Sequence, residues 1–306
     1  MSYKFIEEKL NNNKLVILDG AMGSELEKKG ALMDKNLWCG TSSVEFPELV
    51  KKVHEDYIEA GADVITTNTY ACTPISMKNY GMESLIKKFN QKSVELGKKA
   101  IENSKKKVAL AGSVSASGSF FRYGIDALKP GFNEQIKILS EEGVDLIILE
   151  AMSSQADIVE TMLECSIKIK IPVWLSISCV IDKKTDNLML GYNDTLDDPP
   201  EVYEDLEKSI KRFSKIHSGP ILIAHSDIDV TGRAIKVAKK NYTGTIGAYP
   251  NIGFYEKPHW RSDSNLSPQD YLNEVKSWVQ NGTQIVGGCC GVGVNLIKPL
   301  SSLNNE

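Results

Sequence analysis

Two adjacent cysteines, Cys289 and Cys290, stand among glycines in the segment Gly287-Gly288-Cys289-Cys290-Gly291. Neighbouring side chains on a strand point to opposite faces, but flanking glycines let the backbone turn tightly enough for both sulfurs to face one point. Two thiolates suit Zn2+, and a catalytic zinc takes three protein ligands and keeps a further position for substrate. The competing reading is a pair of small buried side chains at a strand end. The remaining cysteines, Cys39, Cys72, Cys165 and Cys179, are scattered along the chain and read as buried hydrophobes rather than a disulfide framework.

Such groups need elements to position them. Short apolar runs recur at residues 16–18, 63–66, 108–111, 145–149, 173–176, 221–224, 244–247 and 284–286. They are near-continuously apolar, as expected of parallel strands buried on both faces. Helical spacing fills the intervals at 47–60, 85–101, 133–142, 156–167, 200–216, 231–240 and 268–281. The first of these ends at Gly61, a helix stop. Strands alternating with helices predict a parallel α/β fold. The strand count favours a (β/α)8 TIM barrel, read as a single domain over 1–306, above an open doubly wound sheet. No glycine-rich dinucleotide fingerprint follows the first strand. Residues 113–130, rich in Gly and Ser, read as an active-site loop after strand three.

In such a barrel, chemistry lies at the C-terminal ends of the strands. Those positions hold Asp19-Gly20, Thr67-Asn68-Thr69, Gly112-Ser113, Glu150, Ser178-Cys179, His225-Ser226, Tyr249-Pro250-Asn251 and Gly288-Cys289-Cys290. Polar groups at every mouth position suit an enzyme better than a scaffold. The candidate substrate-binding residues are Asp19, Glu150, Asn68, Ser113 and Asn251.

The chain also resembles the homocysteine S-methyltransferases along nearly its whole length. The resemblance rests on an ordered set of motifs: residues 18–26 (LDGAMGSEL), Leu37-Trp38, 60–70 (AGADVITTNTY), Gly143-Val144-Asp145 with Leu149-Glu150, Val173-Trp174-Leu175-Ser176, Tyr249-Pro250-Asn251 with Gly253, and above all 287–291. It implies a zinc held by three cysteines, one on strand six and two on strand eight. That zinc would bind the thiol of homocysteine as a thiolate, which attacks the methyl group of S-methylmethionine or S-adenosylmethionine to form methionine. A free thiol of pKa about 8.5 is mostly protonated at neutral pH, and a coordinating cation deprotonates it. By the same resemblance Glu150 meets the amino group of the amino-acid substrate, and Asp19 is a second mouth carboxylate.

The departures fall around the site. Where the family has Asn-Cys at the end of strand six, this chain has His225-Ser226. His225 offers a third ligand, giving the metal set Cys289, Cys290 and His225. Position-by-position matching, however, puts Ser226 at the ligand place, and strand side chains alternate. Cys179 is a further candidate. The strand-three loop and the segment Val292-Gly293-Val294-Asn295 also differ from the family's pattern. Two alternatives therefore stay open: a divergent enzyme acting on another thiol or methyl donor, and a silent barrel that binds an amino acid or a metal.

Composition limits the partners. A net charge of -4 and a pI near 5.7 argue against a nucleic-acid footprint, which would need a basic face. The N-terminus lacks the apolar core of a signal peptide, and no run approaches the ~18 apolar residues of a membrane span. The expectation is a cytoplasmic protein whose partners are a small-molecule thiol and a methyl donor.

Overall fold

The computed structural model describes residues 3–116, 124–152, 155–193, 195, 200–262 and 266–305. In chain order its strands are β1 (Val16–Ile17), β2 (Val64–Thr66), β3 (Ala109–Ser115), β4 (Leu146–Met152), β5 (Val173–Ile177), β6 (Cys179–Asp182), β7 (Asn187–Tyr192), β8 (Glu201–Asp205), β9 (Ile221–Asp227), β10 (Ile246–Asn251), β11 (Phe254–Glu256), β12 (His259–Arg261) and β13 (Ile285–Val286). Eight of them form one parallel sheet in the order β1-β13-β10-β9-β5-β4-β3-β2. A parallel bridge between Leu18 and Val64 joins its two edges. The result is the expected (β/α)8 barrel, with helices such as Pro47–Ala60 and Ile86–Ser104 outside.

The barrel interior explains several residue choices. Trp174, wholly buried, and Tyr249 pack in one cluster with Ala109, Ala111 and Ala224, small side chains that leave the rings room. Residue periodicity marks no element before strand one, yet Tyr3–Asn11 forms a helix whose Ile6 joins that same cluster. Its Tyr3 hydroxyl accepts a hydrogen bond from the Trp174 indole at 3.0 Å, and Lys9 pairs with Asp63 at 2.6 Å. This helix closes the end of the barrel opposite the mouth.

Three assignments from sequence need correction. Residues 200–216 are not one helix: Glu201–Asp205 is β8, and the helix is Leu206–Phe213. The Asp205 side chain accepts from Lys208 N at 2.9 Å, an N-cap that starts the helix later than Pro200 suggested. With β6 and β7, β8 makes a three-stranded antiparallel sheet between β5 and that helix. Residues 113–130 are only partly loop, because β3 continues to Ser115 and the helix Ile125–Glu141 carries Pro130 in its second turn. Residues 117–123 of that segment lie outside the described residues. Strand seven runs over Ile246–Asn251 rather than 244–247. Among the described residues no helix is long and apolar enough to cross a membrane.

One buried group makes stability depend on pH. His54, on the helix Pro47–Ala60, is fully enclosed, and neither ring nitrogen has a hydrogen-bond partner. Burial alone pushes its pKa down to about 4. Unfolded, the same ring takes a proton near pH 6.5, so the unfolded state binds more protons between those values. Stability is complete above about pH 6.5 and is lost as pH falls toward 4, by about 3 kcal/mol over the window. Thermal melts of His54→Leu between those pH values should show a flatter profile than wild type. Parallel profiles would refute the assignment.

Candidate active site and metal centre

The arrangement of β9 answers the alternation problem raised by the sequence. Ala224 pairs with Tyr249 and Asp227 with Asn251, so β9 carries one more residue than β10 between the two pairs. This is a β-bulge, and His225 adopts φ +48 within it. A left-handed backbone costs a non-glycine residue about 1–2 kcal/mol. The bulge turns the histidine toward the cysteines. His225 Nδ1 lies 3.8 Å from Cys289 Sγ, and donor atoms of His225, Cys289 and Cys290 all fall within 4.8 Å of one another. Ser226 faces elsewhere: its hydroxyl accepts from Cys179 N at 2.9 Å and donates to Ala224 O at 2.8 Å. Cys179 contacts Ser226 at 3.5 Å and is not part of the cluster.

Asn251, read from sequence as a substrate contact, stands behind this cluster. Its Oδ1 accepts from Cys290 N at 3.1 Å, which fixes the amide orientation and turns Nδ2 toward His225 Nδ1, also at 3.1 Å. An amide N–H can only donate, so the imidazole is held in the tautomer that leaves Nδ1 without a proton. The cysteine segment is tied down further. Cys289 N donates to Pro250 O, and Ile252 N donates to Cys290 O. Gly291, at φ +80, has no space for a side chain, since a Cβ would lie 1.9 Å from Ile252 O.

The carboxylates occupy the same cavity, of about 270 Å³. Glu150 also sits in a bulge: Leu149 and Met152 pair with Leu175 and Ile177, so β4 is one residue longer than β5 there. The Ser113 hydroxyl donates to Glu150 Oε2, and Ser113 is itself held by its backbone to Thr67 and Thr69. Burial and the neighbouring Cys289 push the Glu150 pKa up to about 7, against the Ser113 hydrogen bond. Asp19 accepts from Thr66 N at 2.6 Å and from Thr66 Oγ1 at 2.9 Å. Burial still raises its pKa well above the carboxylate range, with Glu150 and Cys289 adding to the rise. Asn68 lines the cavity, but its amide donates to Cys39 O at 2.8 Å and to Ser43 Oγ at 3.3 Å. Asp19, Glu150, Asn68, His225, Cys289 and Cys290 thus line one cavity, and Ser113 and Asn251 hold members of that lining without being part of it.

An aromatic wall of the same cavity was missed from sequence. Trp38, Tyr255 and Trp260 line the cavity, with ring centroids 6.3 Å apart for Trp38–Tyr255 and 6.5 Å for Tyr255–Trp260. Gly23 makes space for Trp38, because a Cβ there would meet the indole at 2.4 Å. Tyr255 and Trp260 arrive on the hairpin β11–β12. Its sequence signal is the Lys257-Pro258 turn between two short aromatic runs, too short to register as strands.

Comparison with known proteins decides the family. The homocysteine S-methyltransferase family model matches residues 16–303. The chain belongs to the homocysteine S-methyltransferase family. Members similar to it include homocysteine S-methyltransferase 2 of Zea mays, 28% identical over 95% of this chain and 90% of that protein. Selenocysteine methyltransferase of Astragalus bisulcatus is 26% identical over 93% of this chain and 92% of its own. The crystal structure of the homocysteine methyltransferase MmuM of Escherichia coli in its metallated form superposes with a TM-score of 0.75 at 22% identity, covering 99% of each chain, a likeness of fold. The protein is accordingly a methyltransferase.

Family membership makes the metal-ligand chemistry of this cluster the first question. A tetrahedral zinc, with bonds of about 2.3 Å to sulfur and about 2.0 Å to nitrogen, sets its ligand atoms roughly 3.5–3.8 Å apart. The His225–Cys289 separation of 3.8 Å is a few tenths of an ångström above the value for a nitrogen–sulfur pair. The thiol of Cys289 is held well below the ordinary thiol range, first by the Cys290 side chain and then by His225, so its thiolate form is favoured before any ion arrives. The residues present fit the group.

Proposed function

We propose that the protein transfers a methyl group from a sulfonium donor, S-methylmethionine or S-adenosylmethionine, to the thiol of homocysteine, forming methionine, with Zn2+ held by Cys289, Cys290 and His225. The observation that carries this reading is the convergence of those three donor atoms within 4.8 Å at the mouth of a barrel of this family. A bound zinc supplies the acidity that makes a thiol a thiolate at neutral pH. The protein's own residues do the rest. Glu150, from the end of β4, receives the substrate ammonium group. Trp38, Tyr255 and Trp260 present ring faces that attract a sulfonium cation, as aromatic rings attract other cations. In the transfer the donor's S–CH3 bond breaks, its electron pair stays on the donor sulfur, and a new bond joins the methyl carbon to the homocysteine sulfur. A thiolate and a sulfonium become two neutral thioethers. Opposite charges are consumed, so an apolar surrounding favours the step, because taking the two ions out of water costs more than taking out the neutral products. The test is zinc-loaded protein incubated with homocysteine and each donor, with methionine measured. No methionine from either donor would overturn the proposal, and selenocysteine in place of homocysteine tests a selenol acceptor.

The ligand set carries its own prediction. His225→Ala should weaken zinc binding about a hundredfold, as for one lost ligand, whereas Asn251→Ala should weaken it little, because its amide donates to the same Nδ1 lone pair that the metal would take. Ser226→Cys should leave affinity unchanged, because position 226 points to Cys179. Zinc titration against a competing chelator measures all three. A large gain in Ser226→Cys would show that the bulge does not hold His225 toward the metal.

A further inference from the structure

We infer that Glu27 is a positioning residue: it docks the β11–β12 hairpin against the barrel mouth and so sets the affinity for the methyl donor. This inference rests on the proposed function only for the identity of that donor. The hairpin is two short strands, Phe254–Glu256 and His259–Arg261, and a two-stranded hairpin alone is marginally stable. Of its paired residues only Trp260 is buried. It therefore depends on specific contacts with the barrel. The Trp260 indole N–H donates to Ile252 O at 2.9 Å, and the Tyr255 ring meets Trp38.

Glu27 supplies a further, polar attachment. It lies on the helix Met22–Lys28, which follows β1, and it is outside the cavity lining. Its Oε1 accepts from His259 Nδ1 at 2.5 Å and its Oε2 from Trp260 N at 3.4 Å. One carboxylate therefore grips the second strand on both sides of the peptide that aims the Trp260 ring into the cavity. Hydrogen bonds to an ionised acceptor are roughly twice as strong as neutral ones. The hairpin stem is joined to the cysteine segment separately, through Ile252 N and Cys290 O. Loss of Glu27 should therefore free the aromatic wall without releasing the metal ligands.

The experiment compares wild type, Glu27→Ala and Glu27→Gln in zinc-loaded full-length protein. Hydrogen exchange of the amides at 254–261 is read first, without substrate. Kinetics are then measured with homocysteine and S-methylmethionine or S-adenosylmethionine. The expected result for Glu27→Ala is hairpin exchange about tenfold faster or more, with the donor KM raised by a similar factor, as for loss of one charged hydrogen bond. The homocysteine KM, the kcat at saturating donor and the zinc content should stay within about twofold of wild type, below the tenfold of that one bond. Glu27→Gln, which keeps one acceptor oxygen, should fall between. Unchanged hairpin exchange, a parallel rise of both KM values, or loss of zinc would each overturn the positioning role. If wild type turns over neither donor, the proposed function fails while the exchange measurement still decides whether Glu27 docks the hairpin.

Discussion

Cys290→Ala is expected to lose zinc on dialysis against a weak chelator, under conditions where wild type retains close to one equivalent, and to lose methyl transfer with it. Zinc bound by a small set of protein ligands is worth roughly 10–16 kcal/mol, so one thiolate accounts for about 3 kcal/mol, or about a hundredfold in affinity. The fold should survive. The Cys290 backbone N–H that donates to Asn251 remains in the alanine variant, and the sulfur lies at the barrel mouth rather than in the central cluster. Melting temperatures of the metal-free proteins should therefore agree, and metal content by atomic emission separates a lost ligand from a lost fold. Stoichiometric zinc in Cys290→Ala would refute the ligand assignment.

Glu150→Gln should raise the KM for homocysteine by about thirtyfold or more. Truncating one partner of a buried charged pair costs about 2–5 kcal/mol, and the amide keeps the shape while removing the charge. A pH signature accompanies it. With its pKa raised to about 7 by burial and by Cys289, Glu150 is a carboxylate above that value and neutral below it. Wild-type homocysteine KM should thus rise as pH falls through the range in which Glu150 takes its proton, and this component should be absent from Glu150→Gln. A variant with an unchanged KM, or with the same pH profile as wild type, would remove Glu150 from ammonium recognition.

The barrel was legible because its strands announce themselves. Runs such as Leu146–Leu149 must be buried on both faces, and only a parallel sheet sheathed in helices does that. Elements defined by longer-range partners were not legible. The helix Tyr3–Asn11 is polar by composition and helical because Ile6 and Tyr3 find the open end of the barrel. The sheet β6–β8 begins two residues after Ile177, and its last strand falls in a stretch read as helix. At the site, residue types pointed to Cys289, Cys290, Glu150 and Asp19 at the mouth. Whether His225 or Ser226 faces the cysteines depended on one backbone dihedral, which no residue pattern encodes. Ser113 and Asn251 were found at the right strand ends, but only geometry shows that they support Glu150 and His225 rather than line the cavity.

The extra residue in β9 also bears on how this centre could be redesigned. A strand keeps count in twos, and the bulge resets that count between Ala224 and Asp227. Converting the site to three thiolates is therefore a matter of phase before it is a matter of chemistry. Exchanging side chains at a fixed length leaves position 226 aimed at Cys179. In a strand without the extra residue, the residue two beyond Ala224 would share its face toward the barrel interior. With the bulge kept, position 225 is the one that meets the cysteines, so His225→Cys rather than Ser226→Cys is the exchange that would set a third sulfur beside them.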